Sequence, residues 1–396
     1  MNMTAIYMYK NIRLVCIFSL LFFGAQIVQA QNLEKLAELI TFYPNKRAVE
    51  KDSTLYLQKF IAAPVVTFSP ETSLAIGTGA KYLFKFNGSG EETRASNIPL
   101  SIRYSLNNQF IFFSGFEVFT NQEKWVIEGN LIFQNFPRLF YGIGQNTSED
   151  NELEYNHNQF LAEPIFLKQL SVKHLFAGLG IRYNSIYNVD FDEDPELNEE
   201  LNTDQISSFD GSTSAGIEAA ILYDSRDNIL NAEKGWFIEA TYGSYDKVLG
   251  GTNKFQLTRF DVRHFRSLSE KSNAILGFQV LGSFSSGDVP FNELAALGGQ
   301  EIMRGYREGR FVDRHILAGQ MEYRKSFGDS RWGAVGFLGA GDVANSISNF
   351  NLKSIKPSYG AGIRFKLDKT ENLNLRLDYG IGKGSSHFYF TIAEAF

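Results

Sequence analysis

The side chains that could carry chemistry are few and scattered along the 396-residue chain. A hydrolytic site needs a nucleophile, a base and a group that orients the base, and a metal site needs ligands at short spacing. The sequence has no H-E-x-x-H, G-x-S-x-G or G-x-x-x-x-G-K-[ST] motif, and its five histidines are dispersed: His157, His174, His264, His315 and His387. We therefore predict that the protein is not an enzyme and has no metal ion or cofactor.

Three segments differ from the rest in their density of glycine, arginine and aromatic residues. The first is 297–311, LGGQEIMRGYREGRF, which contains Arg304, Gly305 and Tyr306. The second is 223–236, which joins Asp224, Arg226 and Asp227 to Gly235, and the third is 388–396, FYFTIAEAF. None of the three contains any of those catalytic or nucleotide-binding motifs, so their role depends on the elements that position them.

Composition limits the classes of protein that the chain can belong to. There are 38 Lys and Arg against 44 Asp and Glu, a formal net charge of −6, which argues against a nucleic-acid partner. A mean hydropathy of −0.18 is too low for a bundle of membrane helices. With 36 Phe, 18 Tyr and 35 Gly but only 9 Pro, the composition favours many strands joined by turns.

Residues 1–30 have the pattern of a secretory signal peptide. Lys10 and Arg13 precede the apolar stretch 14–24, and Val-Gln-Ala at 28–30 is a small-residue cleavage site. The alternative is a single membrane anchor. Because the only cysteine is Cys16, the mature chain is expected to have no disulfide.

Hydrophobic residues alternate with polar ones over most of the remaining chain. In 372–382, NLNLRLDYGIG, leucine, tyrosine and isoleucine fall on one face, and Asn, Arg, Asp and Gly fall on the other. The same period predicts sixteen strands, the first near 73–86, the fifth near 137–145 and the last near 387–396. Many exceed the about 5–6 residues usual in soluble sheets. We therefore predict an all-β fold, an antiparallel transmembrane β-barrel of about sixteen strands of the outer-membrane type.

The predicted connections differ in length between the two ends of this barrel. If 73–86 runs outward, short turns such as 107–108, 136 and 169–170 lie on the periplasmic side, and the external side carries these longer links: 87–96, 146–153, 188–209, 288–312 and 343–355. A soluble β-sandwich or β-helix does not explain this asymmetry. The acidic loop 188–209 is interpreted as a solvated surface, with calcium or lipopolysaccharide bridging as the alternative.

On these segments the chain resembles the BamA/TamA surface-antigen family of outer-membrane proteins. Met-Arg-Gly-Tyr at 303–306 looks like the family's sixth-loop motif, and 223–228, YDSRDN, resembles its turn between the eighth and ninth strands. Two further segments, 69–72 and 140–147, look like its opening and mid-barrel segments. The last strand, with Phe388, Phe390, Ile392 and Phe396, resembles its barrel-closing signal. The resemblance covers roughly 64–396.

The resemblance implies that the sixth loop folds into the barrel and that its arginine meets acidic side chains of the inner wall. The alternation of side chains along 313–327 places Glu322 on the lumen face, so Arg304 and Glu322 are predicted to pair. The family usually has a second Asp where this chain has Gly339, and Asp342 has the opposite parity. This departure implies a loop lock that differs from the family's usual one.

The predicted organisation is a signal peptide at 1–30, a short periplasmic segment at 31–62 and a barrel at 63–396. Relatives that assemble proteins carry periplasmic POTRA domains, and 31–62 is too short for one, so the resemblance implies a member without them. Two functions stay open, and a lipid-modifying barrel enzyme is a third, weaker alternative. The barrel assists insertion or translocation of outer-membrane proteins or lipids through the seam between its first and last strands, or it is a pore or structural barrel. The implied partners are outer lipopolysaccharide, inner phospholipid, the barrel assembly machinery and a protein or lipid client.

Overall fold

The computed structural model of the protein describes residues 40–193, 195, 199–203, 206–229, 231–269, 273–368 and 372–396. The predicted signal peptide and residues 31–39 lie outside the described residues, and so do Asp194, Glu196 and Asp204 of the acidic loop. Among the described residues, no helix is both long and apolar enough to cross a membrane.

Sixteen antiparallel strands of the described chain form one closed sheet, which confirms the predicted barrel. In chain order the wall strands are β1 (Lys59–Ser69), β2 (Ser73–Phe84), β3 (Ser96–Ser105), β4 (Phe110–Phe119), β5 (Trp125–Asn135), β6 (Leu153–Ala162 and Ile165–Gln169), β7 (Leu175–Phe191), β8 (Ser212–Asp224), β9 (Gly235–Tyr245), β10 (Phe255–Ser269), β11 (Ala274–Gly287), β12 (His315–Ser326), β13 (Trp332–Ala344), β14 (Lys356–Asp368), β15 (Leu373–Ile381) and β16 (Ser386–Ile392).

The remaining elements are short. A leader strand (Thr41–Phe42) and helix α1 (Lys46–Lys51) precede the wall, Arg138–Phe140 pairs with the start of β6, and Ala295–Leu297 pairs with Phe311–Asp313. Single 3-10 turns occupy Asn121–Glu123, Glu149–Asn151, Glu199–Leu201, Lys247–Leu249, Phe291–Glu293 and Ile347–Asn349.

The barrel is polar inside and apolar outside, the reverse of a soluble sheet. On β13 Leu338 is 54% exposed and on β14 Tyr359 is 53% exposed, whereas Glu322 and Asp378 are buried in the lumen. Side chains alternate sides along a strand, so alternation of polar and apolar residues gives each strand one polar face and one apolar face. An outer face of exposed Leu, Ile, Phe and Tyr is stable only against lipid.

The first wall strand is β1, not the strand predicted near 73–86. β1 pairs with β2 along its whole length, from Lys59 opposite Leu83 to Ser69 opposite Ser73. It also meets β16, with Phe68 opposite Phe390. The seam of the barrel therefore lies between β1 and β16, and the seam predicted between 73–86 and the last strand is wrong.

The fifth predicted strand, 137–145, is also wrong. Only Arg138–Phe140 is paired as a strand, Ile143 forms a single bridge with Val312, and Gly142 and Gly144 have φ of +90° and +120°, which extended strands do not adopt. One missed strand and one extra strand cancel, so the count of sixteen agrees although the direction of every strand between 73 and 135 is reversed.

This reversal moves three connections to the opposite ends of the barrel. The link predicted at 87–96 on the external side spans 85–95 in the structure and lies with the turn 225–234, because Arg94 donates to Asp224 at 2.5 Å. The predicted periplasmic turns at 107–108 and 136 lie at the other end, where the Gln109 side chain donates to Pro137 O at 3.2 Å. We call the end that carries 136–152, 192–211 and 288–314 the long-loop end, and the other the short-turn end.

The last strand ends at Ile392, earlier than predicted. Ala393 has φ of +81°, which turns the tail 393–396 out of the wall and into the lumen. Phe388 stays on the outer face, but Phe396 is buried against Phe265 with ring centroids 5.9 Å apart. Phe396 therefore does not continue the outward row of Phe388, Phe390 and Ile392, which corrects the predicted extent of the closing strand.

A charge placed on the middle of the outer wall tests this inside-out arrangement. We expect Leu338→Arg to lower the free energy of unfolding in liposomes by about 2–4 kcal/mol, because lipid cannot solvate the guanidinium at mid-depth. Phe327→Arg, just beyond the end of β12, is the control and should cost about 0–1 kcal/mol. Urea titration followed by tryptophan fluorescence measures both, and equal effects would contradict the assigned membrane depth.

Candidate functional site

The connection between β11 and β12, residues 288–314, enters the barrel, and we call it the lumen loop. Its two arms pair as Ala295–Leu297 with Phe311–Asp313, and this short ladder directs the tip, 298–310, inward. Met303, Arg304 and Tyr306 at the tip are 0–1% exposed. The segment that stood out in the sequence is therefore the plug of the lumen.

Arg304 is held between two carboxylates that come from different strands of the wall. Its Nη2 donates to Glu322 Oε1 of β12, and its Nη1 donates to Asp378 Oδ2 of β15 at 2.5 Å. The guanidinium also lies over the Phe337 ring, 3.7 Å from its centroid. A cation without water contact is stable only when paired in this way, and removing one partner of such a pair costs about 3–5 kcal/mol.

Both carboxylates continue into a chain of alternating charges. Glu322 Oε2 accepts from Arg324 Nε at 2.8 Å, and Arg324 Nη2 donates to the backbone oxygen of Phe396 at 2.8 Å. On the other side Asp378 accepts from Arg364, whose Nε donates to Glu394 Oε2 at 2.7 Å. The network therefore joins the lumen loop to β12, β14, β15 and the tail that follows β16.

Backbone contacts fix the next two residues of the motif. Gly305 has φ of +113°, and a Cβ there would lie 2.4 Å from Ile381 C, so only glycine fits. Gly305 N donates to the Tyr389 hydroxyl at 3.0 Å, and that hydroxyl donates to Tyr306 O at 3.1 Å. The Tyr306 hydroxyl donates to Pro357 O at 2.8 Å. Arg304, Gly305 and Tyr306 are thus docked to four wall strands, β12, β14, β15 and β16.

An apolar cluster supports the base of the loop. Leu297, Met303 and Tyr306 pack with residues of β12 and β13 in a cluster that also contains Ala295, Phe311, Ile316, Ala318 and Val343. Burial of such side chains stabilises by about 1.5–3 kcal/mol each, so the loop is held by packing as well as by charge.

The second carboxylate comes from β15 rather than from the position where the family usually has Asp. A Cβ on Gly339 would lie 3.2 Å from both Met303 Sδ and Gly319 O, a tight contact that disfavours a longer side chain there. Asp342 is buried and accepts from Lys356 and from Gln145 instead. The period of β15 had placed Asp378 on its polar face, and this signal could have identified the carboxylate before the structure did.

The turn segment between β8 and β9 forms a second, smaller lock at the short-turn end. Asp224 accepts from Arg226 Nε at 2.8 Å and from Arg94 Nη1 at 2.5 Å. Asp227 Oδ1 accepts from Glu233 N and Lys234 N at 3.0 and 3.3 Å. Gly235 has φ of +110°, and a Cβ there would meet Ser225 O at 2.3 Å. Sequence reasoning missed Arg94, which lies far away in the chain.

The other segments noted in the sequence also converge on the lumen loop. Glu308 N donates to Glu71 Oε1 at 2.8 Å, and burial together with the charge of Glu308 raises the pKa of the Glu71 carboxyl above its ordinary value. Arg310 donates to Thr147 O at 2.8 Å, and Ala232 of the turn packs with Phe396. Segments that are far apart in sequence therefore contact either the lumen loop or the tail.

The acidic loop shows no ligand cluster in the part that is described. Among the described residues, no group of three or more His, Cys, Asp or Glu could hold a metal ion. Asp194, Glu196 and Asp204 lie outside those residues.

Comparisons with known proteins agree with this architecture. A family model described as the Omp85 superfamily domain matches residues 75–396. The fold is similar to BamA from Haemophilus ducreyi lacking POTRA domains 1–3, with a TM-score of 0.55 and 13% identity over 85% of this chain and 70% of that one. No curated protein matches the sequence.

Two further solved structures have the same barrel. CdiB from Acinetobacter baumannii has a TM-score of 0.56 and 11% identity, and the match covers 85% of this chain and 59% of CdiB. CdiB from Escherichia coli has a TM-score of 0.55 and 10% identity, and the match covers 84% of this chain and 63% of CdiB. The chain thus spans less than two thirds of either CdiB chain, and at these identities the likeness shows the fold.

The pairing of Arg304 can be measured by a double-mutant cycle. We expect Arg304→Ala and Asp378→Ala each to lower the free energy of unfolding by about 3–5 kcal/mol, because either change leaves a buried charge unpaired. The double variant should lose less than the sum, with a coupling of about 0.5–3 kcal/mol. Glu322→Ala should behave like Asp378→Ala. Additive losses in urea titrations would show that Arg304 does not depend on Asp378.

The backbone docking of the loop gives a separate prediction. We expect Gly305→Ala to destabilise the barrel by about 1–3 kcal/mol or more, because alanine is strained at this φ and its Cβ meets β15. Gly336→Ala is the matched control, since a Cβ there meets no atom within 4 Å, and should change stability by about 0.5 kcal/mol or less. Thermal unfolding in detergent separates the two, and equal melting temperatures would contradict the docked tip.

Proposed function

The chain belongs to the Omp85 superfamily of outer-membrane β-barrel proteins, and on this premise we propose that it inserts or translocates client proteins through the seam between β1 and β16. The observation that carries the proposal is the weak seam. Within the described residues Phe68 opposite Phe390 is the one registered pair between these strands. The neighbouring interfaces, by contrast, pair continuously, β1 with β2 over Lys59–Ser69 and β15 with β16 over Leu375–Ile381.

A strand edge with few partners can accept another strand. Each unpaired residue presents backbone N–H and C=O groups, and an incoming extended segment satisfies them by β-augmentation. In a bilayer the need is stronger, because lipid offers no hydrogen bonds to the exposed backbone. The edge of β1 therefore favours a client whose own strand alternates apolar and polar residues.

The plug argues for strand entry through the wall rather than flow through the lumen. The lumen loop is fixed by the Arg304 network and by contacts to β12, β14 and β15, so it occupies the interior where an open pore would need water. For this chain we propose an outer-membrane protein client, with the barrel assembly machinery acting during its own biogenesis.

The same proposal gives the barrel a direction and lipid partners. We place the long-loop end at the cell exterior, facing lipopolysaccharide, and the short-turn end at the periplasm, next to phospholipid. Exposed aromatic residues near strand ends, such as Trp125 and Trp236, suit the polar edges of the bilayer.

A reversible disulfide across the seam tests the function. Phe68→Cys with Phe390→Cys joins directly opposed residues, whose Cα atoms in antiparallel sheets lie about 4.5–5.5 Å apart, within disulfide range. In proteoliposomes, oxidation should slow insertion of a urea-unfolded eight-stranded outer-membrane barrel about tenfold, since the seam can no longer open. Dithiothreitol should restore the rate, measured as the protease-resistant fraction of the probe.

The control disulfide uses the same β16 cysteine on its other side. Leu377→Cys with Phe390→Cys links β15 to β16 within the wall and leaves the seam free, so insertion should continue. Normal insertion by the seam-locked protein would contradict the proposal. A steady conductance in planar bilayers together with that result would favour the pore function instead.

A further inference from the structure

Resting on the proposed function, we propose that the leader strand Thr41–Phe42 is a resident strand on the seam edge of β1, which a client strand must displace. Thr41 lies opposite Ile61 and Phe42 opposite Phe60, in antiparallel register. The other edge of β1 is fully occupied by β2. The leader strand therefore uses the edge that faces β16.

The side chains of the resident strand follow the two faces of β1. Phe60 is 38% exposed on the outer face, and Phe42 packs next to it with ring centroids 6.3 Å apart. Residues opposed across an antiparallel pair share a face, so Phe42 continues the apolar surface of the wall. The leader strand imitates the alternation that a client strand would present.

The inward turn of the tail leaves room for this strand. From Phe68 opposite Phe390, each later residue of β16 would face one earlier residue of β1, so a straight tail 393–396 would cover 65–62. Instead Ala393 turns, and Glu394 is held by Arg364 and by Asn374 at 2.7 Å each. Within the described residues no strand pairs with the seam edge of β1 between Ala62 and Thr67. The leader strand pairs with the two residues that come directly before this gap, Phe60 and Ile61.

The leader is tethered so that it can leave and return. Asn45 closes the segment that connects it to β1, donating from Nδ2 to Tyr56 O and accepting from Gln58 N, both at 2.9 Å. A short tether gives a local concentration on the order of millimolar, so even two paired residues can compete with free segments. A longer client strand forms more backbone hydrogen bonds and displaces it, so the device selects against short or poorly pairing segments.

The resident strand is detected by disulfide formation in the full chain with Cys16→Ser. Thr41→Cys with Ile61→Cys should cross-link readily in proteoliposomes. Thr41→Cys with Lys81→Cys should not, because Lys81 lies one strand further, about 10 Å away. A peptide with the sequence of β16, at about millimolar concentration, should lower the first yield at least about twofold. The same peptide with Tyr389→Pro should have no effect.

Insertion of the unfolded eight-stranded probe barrel gives the second readout. The oxidised Thr41→Cys/Ile61→Cys protein should insert it about tenfold more slowly than the reduced one, because the edge stays occupied. Phe42→Pro, which removes a backbone donor, should insert it faster than the unmodified protein.

The outcomes separate the two proposals. A cross-link yield that the β16 peptide leaves unchanged, or equal insertion by the oxidised and reduced proteins, overturns the resident strand while the insertion function stands. If the unmodified protein inserts no probe, the insertion function is contradicted. The peptide competition then decides the resident strand alone, a fall in yield supporting it and a constant yield overturning it.

Discussion

The buried guanidinium of Arg304 is the constraint on which the rest of the structure depends. A cation removed from water is stable only between anions, and here Glu322 of β12 and Asp378 of β15 supply them. Those strands lie on different parts of the wall, so the lumen loop must reach deep into the barrel to satisfy both. Gly305 and the Tyr389 hydroxyl then fix the backbone of the tip.

The same network connects the plug to the seam. Arg364 and Arg324, which complete the coordination of the two carboxylates, also hold Glu394 and the backbone oxygen of Phe396. The tail is thereby drawn into the lumen, and it cannot continue β16 along β1. A rigid interior and a weakly paired seam are thus consequences of one arrangement of charges. This combination suits a wall that admits a strand without opening a pore.

The alternation of polar and apolar residues in the sequence predicted the two faces of the strands well, because the lumen and the lipid require opposite polarity on alternate residues. It turned Glu322 inward, where Arg304 meets it. It missed β1, where apolar residues occupy both faces of 60–66 and Pro64 interrupts the strand pattern, and it extended a strand through Gly142 and Gly144. The alternation along β15 places Asp378 on the lumen face, but the depth to which a loop enters a closed barrel depends on tertiary packing, so the contact of Asp378 with Arg304 became visible only in the structure.

The central functional claim is that the seam of this barrel serves other outer-membrane proteins. The decisive experiment is to deplete the protein in the bacterium that makes it and to measure the outer-membrane proteins by quantitative proteomics. If the seam inserts client proteins, other β-barrel proteins should decline in the outer membrane while their unfolded forms accumulate in the periplasm. Unchanged levels of every outer-membrane protein, with altered permeability to small solutes, would contradict it.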